Sequence, residues 1–411
     1  MKTKLIALAL FAATAGTVAL YPTDRGAVAV DTPPEDPTPV LLPPLDLPSV
    51  DRLANERPLV ELVFVLDTTG SMGGLIQTAK DKIWSIASTM ASAQPAPEIR
   101  IGLVAYRDRG DAYVTQIVGL SRDIDSIQAT LMDFEAGGGG DGPESVNQAL
   151  HEAIHRISWS RDPDAYKVVF LVGDAPPHLD YRDDVQYAES IAVARQKGIA
   201  VNAVQCGEDI GTTVHWQRIA QLGGGTYFRV DQAGGAVAIA TPFDHKLAEL
   251  SAQLDDTRLY YGTADEKAAQ ARKEAATDKL HAGSSVESRA RRAAFNATDA
   301  GKSNLLGDKE LVEDVASGRV DLSAIAPAAL PAPLQAMAPE EQQTLIDETA
   351  ERRKALSEEI QSLAVQRDTY LKQQIAEQGG AKDSLDHRLY DAIREQAGAK
   401  GLRYDADGPA Y

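Results

Sequence analysis

The sequence predicts an α/β protein: a doubly wound, mostly parallel sheet with helices on both faces, followed by an all-α C-terminal region. Three observations carry that expectation. Near-continuous apolar runs of strand length, such as residues 60–66 and 168–172, have the pattern of strands covered on both faces. They alternate with helix-length segments, which builds parallel sheets. Beyond about Gly262 the strand signals stop, and Ala, Glu, Lys and Arg, all strong helix formers, take over.

In chain order, Lys2 and Lys4 precede an uncharged stretch, residues 5–21, rich in Leu and Ala, with Ala13-Thr14-Ala15 as a small-residue cleavage site. Residues 1–21 read as a secretory signal or as an uncleaved N-terminal anchor, so the chain is expected to be exported, periplasmic or secreted. No cysteine lies near this segment, which excludes a lipid-attached lipoprotein. Residues 22–58 hold Pro33-Pro34, Pro37 and Pro43-Pro44 with no helical or strand period, and read as an extended linker.

A domain is expected over residues 59–262. Its strands fall at 60–66, 99–106, 168–172, 199–205 and 226–230, with an edge strand near 113–118; helices fall after Gly74, near 123–134, after the glycine run with Pro143 in the first turn, and near 185–196, 213–222 and 243–254. Residues 263–411 are expected to be helical, with a long helix over about 340–378. Leu356, Ile360, Leu363, Arg367 and Tyr370 recur there at spacings of four and three, a coiled-coil-like stripe that pairs with a helix of the same chain or with a second subunit.

The 411 residues suffice for two or three domains, and 41 Lys+Arg against 60 Asp+Glu give a net charge of −19. That balance argues against nucleic acid and anionic lipid as partners. Cys206 is the single cysteine, so no intramolecular disulfide exists, and its apolar setting predicts a buried, inert thiol.

The functional signal is Asp67-Thr68-Thr69-Gly70-Ser71, where a carboxylate and two hydroxyls follow an apolar strand, the end at which open α/β sheets bind ligands. Oxygen-only donors suit Mg²⁺, Ca²⁺ or Mn²⁺ in preference to zinc or copper. A helix-capping turn uses the same residue types. Two further loops bear on the choice: Gly139-Gly140-Asp141-Gly142-Pro143-Glu144 before a helix, and Gly173-Asp174-Ala175-Pro176-Pro177-His178 after a central strand.

Together these motifs resemble the von Willebrand factor A (VWA) family, with its metal-ion-dependent adhesion motif, over a little under half the chain. The resemblance implies a Rossmann-like VWA fold and a divalent cation, Mg²⁺ foremost. Thr69 and Ser71 would bind through their hydroxyls, and Asp67 and Asp174 directly or through water. Glu144 departs from the family pattern, standing where a Thr is usual. It is either a direct ligand or a first-turn acid that complements the helix dipole. Asp141 is either a ligand or an N-cap. The family leaves one coordination place open for an acidic residue of a protein partner, and a directly bound Glu144 would lower the charge on offer to it.

Three other patterns compete. His151-Glu152-Ala153-Ile154-His155 matches the zinc-protease pattern, but Val146, Leu150, Ala153 and Ile157 define the buried stripe and both histidines point away from it. Arg109-Gly110-Asp111 reads as a charged turn between strands. The Gly137 to Gly140 run follows no strand and has no Lys-Ser/Thr after it, so a phosphate loop is not expected. The reading is therefore a non-enzymatic, exported module that binds a protein partner through a divalent ion, with no cofactor beyond the ion, no nucleic acid and no membrane contact beyond an N-terminal anchor. Its alternatives are an assembly protein with an oligomerising helical tail and a metal-dependent hydrolase.

Overall fold

In this computed structural model the described residues are 40–41, 57–140, 142–232, 239–377 and 385–404; the signal or anchor segment, most of the Pro-rich stretch and Asp141 lie outside them. Six strands of seven to nine residues are β2 (Leu59–Asp67), β3 (Glu98–Tyr106), β4 (Thr115–Ser121), β5 (Tyr166–Gly173), β6 (Ile199–Cys206) and β7 (Gly224–Val230). A two-residue strand, β1 (Val40–Leu41), pairs in parallel with Gln116 and Ile117 of β4; the sequence pattern of the Pro-rich stretch gave no strand there. The order is β1-β4-β3-β2-β5-β6-β7, and among the six longer strands only the β3–β4 pair is antiparallel.

This order reverses direction at β2. The chain builds outward on one side through β3 and β4, then returns to place β5 against the other edge of β2, with Leu66 opposite Val172. The carboxyl ends of β2 and β5 therefore lie level, on either side of the switch point where α/β sheets open a crevice. β2 is buried along its length except for half-buried Phe64, as its near-continuous apolar run requires.

One face of the sheet is covered by α1 (Gly73–Ala91), which buries Leu75, Ile76, Ile83, Trp84 and Met90. The other face carries α3 (Val146–His155), α4 (Tyr187–Gln196) and α5 (Ile210–Gly223), with Val63, Val65, Val169 and Leu171 of the sheet in the same cluster. The short α2 (Ile124–Leu131) follows β4, capped by the Asp123 side chain. Cys206 is buried and free, and burial, with Asp174 and Asp67 nearby, pushes its thiol well above the ordinary range.

Beyond the sheet come α6 (Asp244–Asp255), α7 (Ala264–Gly283), α8 (Val286–Asn296), α9 (Lys302–Leu306), α10 (Leu311–Ala316), α11 (Pro339–Glu377) and α12 (Leu385–Gly398). The packing does not divide at Gly262. Leu247, Leu250 and Leu254 of α6 pack with Ala290 and Ala293 of α8 and with Leu356 and Ile360 of α11. The stripe on α11 thus meets helices of its own chain. In contrast, Leu389, Ile393 and Ala397 of α12 join the cluster that contains Val168, Phe170 and Val204, so the last helix helps cover the sheet.

Buried ion pairs fasten the two parts. Arg292 of α8 donates to both carboxylate oxygens of Asp125 on α2, at 2.6 and 2.7 Å, and to both of Asp255 on α6, at 2.6 and 3.0 Å. Burial opposes charge on Asp125, but Arg292 and Lys273 outweigh it and hold the carboxyl down at about 2. Arg353 of α11 pairs with Glu310, and Arg367 with Asp244. Among the described residues no helix is long and apolar enough to cross a membrane.

Candidate functional site

Asp67 is the last residue of β2 and is fully buried. Thr68 is tied to β3, donating to Tyr106 O from both its backbone N–H and its hydroxyl at 2.9 Å. The chain then folds back, so that Asp67 Oδ1 accepts from the Thr69 N–H at 2.9 Å and from the Thr69 hydroxyl at 2.7 Å, a turn in which an aspartate organises the residues two ahead. Ser71 Oγ stands 3.4 Å from Thr69 Oγ1, and a short 3₁₀ turn, Gly70–Met72, leads into α1.

The glycine-rich loop lies alongside. Gly137 N–H donates to Thr68 O at 3.1 Å and Gly70 N–H to Gly138 O at 3.3 Å. Beneath it, Asp111 Oδ2 accepts from Gly139 N–H at 3.0 Å and Asp108 N–H at 3.1 Å. Gly138 has φ +76°, and a Cβ there would fall 2.3 Å from the Asp111 carboxyl, which would have to move, so glycine is favoured on both counts. Glu144 follows, two residues before α3, with its backbone bonded to Pro176 O and to the His178 N–H. Its side chain turns inward and is buried: a Cβ at position 139 would lie 3.3 Å from both Glu144 Oε1 and Thr69 Cβ.

Asp174 arrives one residue beyond β5 and is half-buried. Its Oδ2 accepts from Gln232 Nε2 at 2.5 Å, and the same amide lies 3.4 Å from Ser71 O, which brings the first and third loops onto one side chain. Thr69, Ser71, Glu144, Asp174 and Asp209 line one open cleft of about 560 Å³. Asp67 lies below it: a Cβ on Gly173 would sit 3.0 Å from Asp67 Oδ2 and 2.5 Å from the Tyr106 hydroxyl. Of the residues singled out in the sequence, Asp67, Thr69, Ser71, Glu144 and Asp174 therefore converge, and Asp141 lies outside the described residues.

The electrostatics of the cleft are unbalanced. Asp67 Oδ2, Glu144 Oε2 and the Tyr106 hydroxyl are buried and lack a hydrogen-bond partner. Burial pushes the Asp67 carboxyl up to about 7, with the two Thr69 bonds opposing the effect, the charge of Asp174 adding to it and the nearby Asp174 N–H opposing it. Burial, then Asp67, Asp108, Asp111 and Asp174, push Glu144 up to about 9. A group of carboxyls that cannot all ionise together, with orphaned oxygens, fits a cation, and an oxygen-only donor set fits a hard one. Among the described residues no group of three or more His, Cys, Asp or Glu is itself arranged to hold an ion, so the hydroxyls of Thr69 and Ser71 are needed to complete the donor set.

The competing patterns are structural. Glu152 is buried and accepts from the Thr115 hydroxyl at 2.6 Å, while the His151 and His155 rings stack on each other at 4.2 Å. That is not a zinc-protease geometry. In the Arg-Gly-Asp turn, Asp111 supports the glycine loop and Arg109 is bound to Asp183 and Asp184 and stacked on Tyr181. His178 does not line the cleft; it is buried between Asp108 and Asp180, at 3.2 and 2.8 Å, and stacks on Tyr181. Two residues of the site region carry no motif in the sequence: Asp209, which caps α5, and Gln232. The signal for Asp209 was its place between a strand and a helix, where a capping acid projects at the ligand-binding end of the sheet.

The fold and cleft define an α/β protein with an oxygen-lined site at its topological switch point. Residues 61–241 match the family model of the von Willebrand factor A domain, and the chain carries such a domain. It is 38% identical over 126 residues to von Willebrand factor A domain-containing protein 7 of mouse, covering 31% of this chain and 13% of that protein. It is 30% identical over 120 residues to the alpha-protein kinase vwkA of Dictyostelium discoideum, covering 29% and 19%. The chain thus spans less than a fifth of the length of these curated relatives. Among solved structures, the SpRpn10 VWA domain aligns with 43% of this chain and 89% of its own at 15% identity and a TM-score of 0.33.

Proposed function

We propose that the cleft binds one hard divalent cation, Mg²⁺ foremost with Ca²⁺ or Mn²⁺ as substitutes, and that the domain uses the ion to hold a protein partner offering an acidic side chain. The observation that carries this reading is the pair of buried carboxylate oxygens without partners, Asp67 Oδ2 and Glu144 Oε2, beside the hydroxyls of Thr69 and Ser71 and the carboxylate of Asp174. Ser71, Thr69 and Asp174 face the cleft and supply direct ligands; Asp67, below, orients Thr69 and acts directly or through water. Glu144 as a further anionic ligand tightens the hold on the ion and reduces the charge left for the partner.

The surroundings favour a protein as the partner. Of five large apolar side chains exposed among the described residues, Ile210 stands between Asp209 and Gly211 of the cleft wall, and Leu179, Val185 and Val214 lie further along the segment after Asp174 and on the first turns of α5. The role is one of binding, not catalysis, and residues 1–21 direct export. Titration calorimetry on the full-length chain with Mg²⁺, Ca²⁺ and Mn²⁺ tests the cation. Saturable binding is expected in the wild type and none in Asp67→Ala/Ser71→Ala. A wild type that binds none of the three ions, or a double variant that binds as well, refutes it.

A further inference from the structure

A second cleft opens at the other end of the sheet. β5 runs from Tyr166 to Gly173, so Lys167 at its start lies seven residues from Asp174, about 23 Å at roughly 3.3 Å per strand residue. This cleft has a volume of about 670 Å³ and is lined by Arg156, Arg161, Lys167 and Lys197, with the hydroxyls of Ser158 and Ser160 and no carboxylate in its wall. In a chain with a net charge of −19, four cations on one acid-free wall are a local inversion of the protein's field.

The wall is built and held from behind. Glu61, fully buried on β2, accepts from the Ser160 N–H at 2.8 Å, and the Trp159 indole N–H donates to Ala153 O at 2.8 Å. Part of the positive charge serves the fold. Lys197 Nζ donates to Ile154 O at 2.6 Å and Lys167 Nζ to Lys197 O at 3.4 Å, placing cations against the C-terminal carbonyls of α3 and α4. Each ammonium has three donors, so one such bond leaves charge and donors to spare.

The arginines are less committed to the fold. Arg161 is exposed and pairs with no carboxylate among the described residues, and Arg156 makes one ion pair, with Glu152 at 3.5 Å. Lys400 adds another cation at the rim, donating to Pro163 O at 2.6 Å. Burial disfavours the charge on Lys167; Glu61 and Asp162, which stands outside the cleft wall, support it and Lys400 opposes it.

We propose that this cleft is an oxyanion site that takes a multiply charged phosphate or polycarboxylate group, with the guanidinium forks of Arg156 and Arg161 on its oxygens and Lys167 behind them. Planar forks match paired oxygens, and ammonium groups add charge without directional demand. The volume exceeds that of a bare phosphate and leaves room for the body of a ligand beside Trp159. The site is independent of the cation cleft.

The test is calorimetric titration of the full-length chain with inorganic pyrophosphate and, separately, with citrate, at low salt and in metal-free buffer because both anions chelate cations. Saturable binding of one or both is expected, which also distinguishes the phosphate from the carboxylate class, and added salt should weaken it. Arg156→Ala/Arg161→Ala should weaken it about tenfold or more; Arg161→Ala alone, at an exposed side chain with no ion pair among the described residues, should weaken it with the unfolding midpoint unchanged, whereas loss of Arg156 also removes the ion-pair partner of buried Glu152. No saturable binding of either anion by the wild type, or equal binding by the double variant, overturns the proposal.

Discussion

Asp67 gathers the electrostatic strain of the cation cleft into one buried carboxyl. Its ordinary value is 3.8, and in the metal-free fold it stands at about 7. Below 3.8 both the folded and unfolded chains hold the proton. Between the two values only the folded chain does, so metal-free stability falls as pH rises across that window and stays low above it. The span corresponds to at most about 4 kcal/mol. Urea unfolding with chelator at pH 5 and pH 8 should show the fall in the wild type, a smaller one in Asp67→Asn, and recovery of wild-type stability at pH 8 with saturating Mg²⁺. An Asp67→Asn variant with the wild-type pH dependence would show that Asp67 is not the group responsible.

At the scale of loops and strands, the glycine run is a spacer between two acidic supports, not a phosphate cradle. Gly138→Ala would have to displace the Asp111 carboxyl and adopt a positive φ, at a cost of about 1–3 kcal/mol. A lower thermal midpoint and weaker Mg²⁺ binding are expected together, since this loop also positions Glu144 against Thr69; a change in stability with unaltered affinity would separate the loop from the site. The strands were legible because runs such as residues 62–66 and 168–172 leave no polar face, and the strand-end acids Asp67 and Asp174 were legible because they come at or one residue past the end of those runs. The inward turn of Glu144 was not, since a first-turn acid looks the same in sequence whether it faces solvent or a neighbouring loop. Gln232 was not legible either: its partners, Ser71 and Asp174, come from the ends of two other strands, and no local pattern encodes that meeting.

On the scale of the whole molecule, the packing does not follow the change in composition. The drop in strand signal at Gly262 is real, but composition does not say what a helix packs against. α6 precedes that boundary and belongs to the helical cluster; α12 follows it by more than a hundred residues and lies in the core of the sheet. A chain cut at Gly262 would therefore expose apolar side chains of the sheet face, and its behaviour would report aggregation before it reported the role of the tail. A point substitution is the sounder probe. Ile393 is fully buried with Val168 and Phe170, whereas Val365 on α11 is exposed. Ile393→Ala should lower the global unfolding free energy by about 2–4 kcal/mol, and Val365→Ala by less than about 0.5 kcal/mol. If α12 were an appendage, Ile393→Ala would melt that helix alone and leave the main urea midpoint where it was. A single shifted transition would instead show that a helix from the end of the chain is part of the same cooperative unit as the strands that carry the candidate cation site.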